Sequence, residues 1–453
     1  MTPLALNGLG APPLPGSLEE TGLSRAVVAG LILKTLYLHG AQSGRSLSDR
    51  VRLSFAILDE EILLLQQRQL VEVRGAHGHS REAYVFDLTG EGRTRARELL
   101  KSNGYAGPAP VPSETYRWWV ADQSVRRHPI SPDRLRDGLT HLVLGSEFID
   151  RLGPGVNSGT SVFLYGPPGN GKTEVAHSVA RVMGTPTYVP YAVDFGGQVV
   201  QIYDPLCHRV CVDQEDDHSE AGLLLDGAKH DPRFLRVHRP AVVVGGELTL
   251  ADLEFQELSE PGVFLAPPQM KANGGIFVVD DFGRQRVRPR DLLNRWMIPL
   301  DRGVDHLALP TGHKLEVPFD CLVFFATNLD PEDLVEEAFL RRIRHKIPIP
   351  GPTRRQFGQI LRTVCEERGL SYAEDAVDLV FREFYERYGI SPRSCHPRDL
   401  VADICDHARY RGVPPSLSED LLRRACRSYF VNMDSSLPDG SESDREVGEN
   451  GHE

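Results

Sequence analysis

A glycine-rich loop between a predicted strand and a predicted helix is the segment best suited to chemistry. The apolar run Val162–Tyr165 leads into it, and a helical pattern over Glu174–Met183 follows. Glycines let such a loop wrap closely around an anion with its backbone N–H groups turned inward, and the helix N-terminus adds its positive end. Lys172 is long enough to reach β- and γ-phosphates, and the Thr173 hydroxyl is a suitable Mg²⁺ ligand. The spacing G-x4-G-K-T predicts a nucleotide-phosphate site, the alternative being a turn without a ligand; its residues are Gly166, Pro167, Pro168, Gly169, Asn170, Gly171, Lys172 and Thr173.

Two acids and an amide follow two further apolar runs. Asp280 and Asp281 come directly after Gly275–Val279, and Asn328 follows Cys321–Ala326 after one threonine. Because ligands of open α/β sheets bind at the carboxyl ends of the strands, we expect these side chains beside the loop. We assign Asp280 to Mg²⁺ through water, Asp281 to polarising the attacking water, and Asn328 to orienting that water or contacting the γ-phosphate. Aspartate is one methylene shorter than the usual glutamate, so the reach of Asp281 is reduced; the alternatives are acids that merely follow a strand and a polar strand-end cap.

At these residues the chain resembles the AAA+ ATPases over roughly 130–430. The Walker A motif matches Gly166–Thr173, Walker B matches Ile276–Asp281, and sensor 1 matches Asn328. The resemblance implies an α/β fold, namely a P-loop NTPase AAA+ core with a parallel sheet between helices and a C-terminal helical lid. It also implies that ATP and Mg²⁺ bind and that ATP is hydrolysed to ADP and phosphate.

A basic segment downstream resembles the part of these proteins that carries the arginine finger. It is Glu337–Ile343, and Arg342 is the predicted finger, with Arg341 and Arg344 as alternates. A guanidinium supplied by a neighbouring subunit neutralises charge that develops on the γ-phosphate. The competing interpretation is a solvated basic helix end.

Two further segments extend the resemblance. His396–Leu400 is similar to sensor 2, in which Arg398 would contact the nucleotide in cis; a salt bridge to Asp399 or a neighbouring residue is the alternative. Val304–Phe319 is predicted to form a hairpin before the sensor 1 strand, as in MoxR-type ATPases and enhancer-binding activators. The GAFTGA loop of the activators is absent, because Gly245–Leu250 is only distantly similar to it.

As a whole the chain resembles bacterial AAA ATPases with an N-terminal winged helix. The resemblance implies ATPase chemistry and leaves the client open. We expect a ring, namely a hexamer with ATP sites at the subunit boundaries, that remodels a macromolecular client, with an unidentified protein as the expected partner. A nucleotide-gated assembly switch with slow hydrolysis and a DNA-bound regulator are the alternatives. The predicted domains are a winged helix (18–105), a Pro-rich linker and helix (106–130), an AAA+ nucleotide-binding domain (131–350), a helical lid (351–433) and a disordered acidic tail (434–453).

The charges of the predicted winged helix favour protein docking over DNA binding. Residues 18–105 contain 12 Lys/Arg and 11 Asp/Glu, so the domain is near neutral, whereas DNA binding needs cations near the phosphates. The predicted recognition helix Ala56–Gln69 carries three acids near its start, Asp59, Glu60 and Glu61, against one base, Arg68. A partial case for DNA rests on basic side chains of the predicted wing and the next helix: Arg74, His77, His79, Arg81, Arg93, Arg95 and Arg97.

The composition of the chain restricts the functional classes and cellular locations to be considered. The 453 residues suggest about three domains. The 51 basic and 63 acidic residues give a net charge of −12, which argues against a general nucleic-acid coat protein but leaves room for a local basic site. The seven cysteines form no CxxC pair, and we find neither a signal peptide nor a transmembrane stretch, so a reduced, cytoplasmic location is expected. No zinc-type spacing links the nearest candidates: Cys207, His208, Cys211 and His218.

Overall fold

The computed structural model describes residues 10–211, 230–309, 312, 314–334 and 340–430. Within these ranges the chain divides into two compact units. The first contains residues up to 140, 146–165 and 173–347, and the second contains 141–145, 166–172 and the residues from 348 onward. Two predictions concern residues outside the described ranges: the acidic tail 434–453 and the beginning of the finger segment at Glu337. His218, one of the residues weighed and rejected as zinc ligands, also lies outside them.

The centre of the first unit is a five-stranded sheet. Its strands are β5 (Ser161–Tyr165), β10 (Ala241–Val244), β13 (Ile276–Val279), β16 (Leu322–Thr327) and β17 (His345–Pro348). Their order is β10-β13-β16-β5-β17, and the four strands from β10 to β5 pair in parallel. Strands buried on both faces read as continuous apolar runs, which explains why these segments were recognisable in the sequence. The α/β prediction is therefore confirmed.

The first unit also contains helices. They are α1 (Leu18–Thr21), α2 (Arg25–His39), α3 (Gly44–Val51), α4 (Phe55–Gln67), α5 (Gly90–Ser102), α6 (Ser113–Asp122), α7 (Pro132–Gly138), α8 (Ser146–Ser158), α9 (Lys172–Met183), α10 (Pro268–Lys271), α11 (Pro289–Arg302) and α12 (Pro331–Leu334). One core cluster packs Phe163, Phe277 and Phe325 of the central sheet with Trp296 of α11. The central sheet and α11 are therefore held together by aromatic packing.

Further sheets lie in the same unit. Their strands are β4 (Val111–Pro112), β6 (Thr187–Pro190), β7 (Ala192–Phe195), β8 (Gln198–Gln201), β9 (Phe234–Val237), β11 (Gln256–Glu257), β12 (Val263–Leu265), β14 (Val304–Ala308) and β15 (Lys314–Pro318). The second five-stranded sheet has the order β11-β12-β8-β7-β4. Its centre is the β7–β8 hairpin, which turns at Gly196 and Gly197, both with positive φ. The hairpin expected before sensor 1 is also present, because β14 pairs antiparallel with β15.

The N-terminal part consists of α1 to α5 and a small sheet. This sheet is formed by β1 (Gln42–Ser43), β2 (Val71–Ala76) and β3 (Tyr84–Leu88), in the order β1-β3-β2. Its apolar core continues into the second sheet, since Val199 and Val263 belong to the same cluster as the helices. The N-terminal part therefore shares its core with the rest of the unit, and its assignment as a winged helix stays a prediction.

The proline-rich segment expected to be a linker joins this packing. Val111 begins a short strand that pairs parallel with β7. Trp119 is buried against Val111 and Phe234, and its ring centroid lies 6.1 Å from that of Phe234. The segment is thus built into the second sheet.

Several basic side chains of the N-terminal part form ion pairs within it. Arg81 pairs with Asp59 at 2.8 Å. Arg74 and Arg93 both pair with buried Asp87, at 2.9 Å and 3.1 Å. These pairs reduce the charge that the three side chains offer to phosphates. Whether this part docks on protein or on DNA stays a prediction.

The second unit contains four helical segments around one apolar core. Phe357, Leu361 and Val401 are among its buried residues, and Thr353 with Gln356 forms a capping box at the first helix. The segments are α13 (Arg354–Arg368), α14 (Glu374–Val380) with a π-helical continuation (Phe381–Glu386), α15 (His396–Arg411) and α16 (Glu419–Tyr429). Among the helices of the described residues, none combines the length and apolarity needed to cross a bilayer.

A buried ion pair is expected to hold the N-terminal segment in the first unit. The side chains of Arg233 and Asp231 are 3% and 5% exposed and lie 2.7 Å apart, and Arg233 also donates to the carbonyl of Thr21 at 2.9 Å. Arg233→Met leaves a buried carboxylate without its partner, so we expect the free energy of unfolding to fall by about 3–5 kcal/mol in urea denaturation.

Two controls accompany this variant. Arg136→Ala, at an exposed pair with Asp133, is expected to cost less than about 1 kcal/mol. Replacing both partners, with Asp231→Leu and Arg233→Met together, should recover most of the loss. Equal losses for Arg233→Met and Arg136→Ala would contradict the structural role of the buried pair.

Candidate functional site

The glycine-rich loop belongs to the second unit, and its backbone requires glycine at two close contacts. Gly166 and Gly169 have φ of 139° and 80°. A Cβ at Gly166 would overlap the carbonyl of Ile349, and one at Gly169 would overlap the Cys395 sulfur. The loop therefore has room for backbone alone at these positions, as a phosphate cradle requires.

The Lys172 side chain packs against the loop and is hydrogen-bonded to it. Its side chain is 7% exposed, and its Nζ donates to the carbonyls of Gly166 and Pro167 at 2.9 Å and 3.0 Å. The ammonium is thus held where the loop curves, at the first residue of α9. A cation in this position is suited to bind an anion enclosed by the loop.

A turn from the helical part of the second unit contacts the loop through backbone groups. The N–H of Ser394 donates to the buried Asn170 side chain at 3.0 Å, and the N–H of Cys395 donates to the carbonyl of Gly169 at 2.9 Å. Asn170 also donates to Ile349 at 3.4 Å. The conformation of the loop therefore depends on residues more than 170 positions away, a dependence that spacing alone did not indicate.

His396 organises that turn. Its Nδ1 lies 2.8 Å from the Tyr385 hydroxyl and accepts the N–H of Arg393 at 3.3 Å, so Nδ1 carries no proton. Burial, with the nearby Arg393 charge, lowers the pKa of His396 to about 4. The imidazole is therefore neutral at physiological pH. The sequence signal for it was its place beside Arg398 at the start of a helix.

Arg398 is exposed in the first turn of α15. The alternative salt bridge to Asp399 is not formed: Asp399 accepts from the Tyr429 hydroxyl at 2.7 Å, and Arg398 has no ion pair within the described ranges. Its guanidinium therefore lies in solvent on the helix that follows the loop-contacting turn.

In the first unit, the residues predicted to bind a metal are brought together. The Thr173 hydroxyl donates to an Asp280 carboxylate oxygen at 2.9 Å. A hydroxyl and a carboxylate supply the hard oxygen ligands that Mg²⁺ prefers, so this pair fits the ion. The contact joins the first turn of α9 to the end of β13.

Asp281 adopts an unusual backbone conformation. Its φ is 48°, in the left-handed region that side chains other than glycine, asparagine and aspartate seldom occupy. The N–H of Asp281 donates to the Asp280 carboxylate at 3.0 Å. The side-chain amide of Asn328 donates to the Asp281 carboxylate at 3.1 Å. The predicted water-handling residues Asp281 and Asn328 are therefore in direct contact.

Two side chains that sequence reasoning did not single out support this strand end. Thr327 donates its hydroxyl to the carbonyl of Phe282 at 2.7 Å, and Gln285 donates to the carbonyl of Asp280 at 2.6 Å. The N–H of Phe282 donates to Ala326 at 2.7 Å. The strained turn is thus held by neighbours on both sides; the only signal for Thr327 was a polar residue at the end of an apolar strand.

The three candidate finger arginines differ in their surroundings. Arg342 pairs with Asp301 of α11 at 3.3 Å. Arg341 lines an open groove of about 320 Å³ with Tyr165 and Lys346. Arg344 is exposed, and no side-chain partner for it occurs in the part of the chain that the structure describes. The choice of Arg342 as the finger therefore stays a prediction.

The cysteine–histidine segment has a structural role. His208 is buried; its Nδ1 accepts the N–H of Asp204 at 3.0 Å, and its Nε2 donates to the carbonyl of Lys271 at 2.9 Å. Both ring nitrogens are thus used. Among the described residues, no group of three or more His, Cys, Asp or Glu side chains is placed to hold a metal ion.

Comparison with known proteins gives limited matches. A family model described as a domain of unknown function, DUF8689, matches residues 353–428. No curated protein matches the chain. Among solved structures, the chain is similar to Thermotoga maritima RuvB: a point mutant of it has 11% identity and a TM-score of 0.34, covering 69% of this chain and 75% of that chain. The Thermotoga maritima RuvB Holliday junction branch migration motor has 13% identity and a TM-score of 0.33, covering 71% and 76%. Scores this low carry no functional argument.

The neutral His396 predicts a pH dependence of stability. Its pKa of about 4 lies below the ordinary 6.5, so the unfolded chain binds more protons between these values. Stability should therefore fall as the pH falls from 6.5 to 4, by about 3 kcal/mol from this group. His396→Asn retains an acceptor for Arg393 without titrating, and we expect it to flatten the dependence in urea denaturation. The control, His39→Asn at an exposed site, should leave it unchanged; a full dependence in the His396 variant would assign it to another group.

Proposed function

We propose that this chain binds ATP with Mg²⁺ and hydrolyses it to ADP and phosphate. One observation carries the proposal: Lys172 is held within a glycine-dependent loop, and the next residue, Thr173, is hydrogen-bonded to Asp280 at 2.9 Å. The cation for phosphate and the oxygen ligands for a metal are therefore carried by consecutive residues.

The proposed roles follow from the contacts. The backbone of Gly166–Thr173 and the Lys172 ammonium bind the phosphates, while Thr173 and Asp280 bind Mg²⁺, which neutralises charge on the phosphates when bound. The Asp281 carboxylate polarises the attacking water and accepts its proton, and Asn328 positions the Asp281 carboxylate. Catalysis then depends on positioning and charge stabilisation.

A nucleotide-gated switch with slow hydrolysis is the second candidate. The observation that favours it is the Asp281 carboxylate itself: it is a methylene shorter than glutamate, and Asn328 already occupies one of its oxygens at 3.1 Å. Turnover would then require that Asp281 release Asn328 and reach the water. ATP occupancy, instead of hydrolysis, would set the state of assembly.

We further propose that the chain acts as an AAA+ protein in a ring, expected to be hexameric, that remodels a protein client. In this arrangement Arg398 contacts the nucleotide of its own subunit and Arg342 that of the neighbour, after leaving Asp301. The antiparallel hairpin before β16 supports the MoxR-like branch. Internal pairing of Arg74, Arg81 and Arg93 supports protein docking over DNA binding by the N-terminal part.

The first test is ATP hydrolysis by the purified chain. Lys172→Ala removes the loop cation and should lower turnover by about 100-fold or more, with weaker ATP binding measured by a fluorescent analogue. Thr173→Ser keeps the hydroxyl and should retain Mg²⁺-dependent turnover, whereas Thr173→Ala should not. Turnover that is absent in the wild type, or unaffected by Lys172→Ala, would refute the ATPase proposal.

The second test separates the ATPase from the switch. Asp281→Asn removes the basic carboxylate and should lower kcat by roughly 10²–10⁴-fold while ATP still binds. Asp281→Glu restores the missing methylene and should raise kcat if reach is limiting. Slow wild-type turnover with ATP-dependent assembly, measured by light scattering, would favour the switch.

A further inference from the structure

A run of arginines follows the proposed metal-binding acids and has no part in the ATP chemistry. It reads Arg284-Gln-Arg286-Val-Arg288-Pro-Arg290, with four bases and no acid in seven residues. The chain as a whole has a net charge of −12, so this concentration of positive charge is local. We call Arg284–Arg290 the arginine loop.

The backbone of the arginine loop is anchored so that its arginines point outward. Val287 is buried and its N–H donates to Leu248 at 3.2 Å, while the N–H of Arg286 donates to Gly246 at 3.1 Å. The Gln285 side chain donates to Asp280 and accepts from Gly283. The intervening residues thus face the protein, and the arginines alternate with them on the exposed side.

Two of the four charges of the arginine loop are uncompensated among the described residues. Within the described residues, the side chains of Arg284 and Arg286 make no hydrogen bond or ion pair. Arg288 pairs with Asp291 at 2.7 Å, but its side chain remains 83% exposed. The nearby Glu247 carboxylate accepts the N–H of Gly245 at 2.9 Å. Two unpaired guanidinium groups and a third exposed one therefore lie within five residues.

We propose that the arginine loop binds the phosphate backbone of a nucleic acid without reading its sequence. Guanidinium groups bind phosphate oxygens bidentately, and the loop uses arginine at every basic position. Protein interfaces instead depend on buried apolar or aromatic anchors, and the one apolar side chain of the loop, Val287, is already buried. Regularly spaced cations without an apolar anchor are better suited to bind a periodic polyanion than to bind an acidic protein.

The test measures binding of a fluorescently labelled oligothymidylate to the full chain by fluorescence anisotropy, without added ATP or ADP. Because the assay contains no ATP, its result does not depend on whether the chain binds or hydrolyses ATP. The wild type should bind at low salt, with the logarithm of affinity falling linearly with that of the salt concentration. Arg284→Gln with Arg286→Gln should weaken binding about tenfold or more and reduce the slope by about 1.4, for two lost phosphate contacts on a single strand.

A matched control removes the same charge elsewhere. Arg409→Gln with Arg411→Gln changes two exposed arginines of α15 and should leave affinity and slope near the wild type. Arg284→Lys with Arg286→Lys should retain the slope and lose part of the affinity, because a lysine cannot bind bidentately. Thermal melting should show that all variants remain folded.

Three results would overturn the proposal. The first is no binding by the wild type at low salt. The second is equal weakening by the control pair, which would make the effect one of net charge. The third is displacement of the oligonucleotide by polyglutamate as effectively as by unlabelled oligothymidylate, which would identify the arginine loop as a site for acidic proteins.

Discussion

The hydrogen bond between Thr173 and Asp280 is the constraint on which the proposed chemistry depends. It joins the start of α9 to the end of β13, although β16 lies between β5 and β13 in the sheet. A contact of 2.9 Å tolerates little displacement, so the registers of these strands have to be maintained. Strand β16, between β5 and β13, places Asn328 within hydrogen-bond distance of Asp281. The polar residue after β16 therefore helps to position the Asp281 carboxylate.

The conformation of the glycine-rich loop depends equally on hydrogen bonds to polar groups far along the chain. The loop backbone and Asn170 accept N–H groups of Ser394 and Cys395, and His396 holds that turn while it remains uncharged. Buried polar groups cost stability unless they are paired, so this arrangement stabilises one loop conformation. The same burial that pairs the groups also makes His396 hard to protonate.

Charge is distributed unevenly, and net charge alone does not describe the surface. In the N-terminal part, Asp87 neutralises both Arg74 and Arg93, and this part shares its apolar core with the second sheet. In the arginine loop, Arg284 and Arg286 have no such neighbours among the described residues. A near-neutral, firmly packed N-terminal part and a strongly basic loop suit different partners, which is why protein docking is proposed for the former and nucleic acid for the latter.

The sequence alone determined the α/β class, the position of the glycine-rich loop, the acids after β13 and the hairpin before β16, because each follows from local spacing, apolar runs and turn residues. Tertiary structure decided the rest. The positive φ of Asp281, the neutrality of His396 and the pairing of Arg342 with Asp301 all arise from groups brought together by folding. The second sheet likewise combines strands from 111 to 265, and such non-local pairing leaves no periodic signal in any one segment. Spacing identifies which side chains have suitable chemistry, whereas their charge, strain and partners depend on distances that only the folded chain defines.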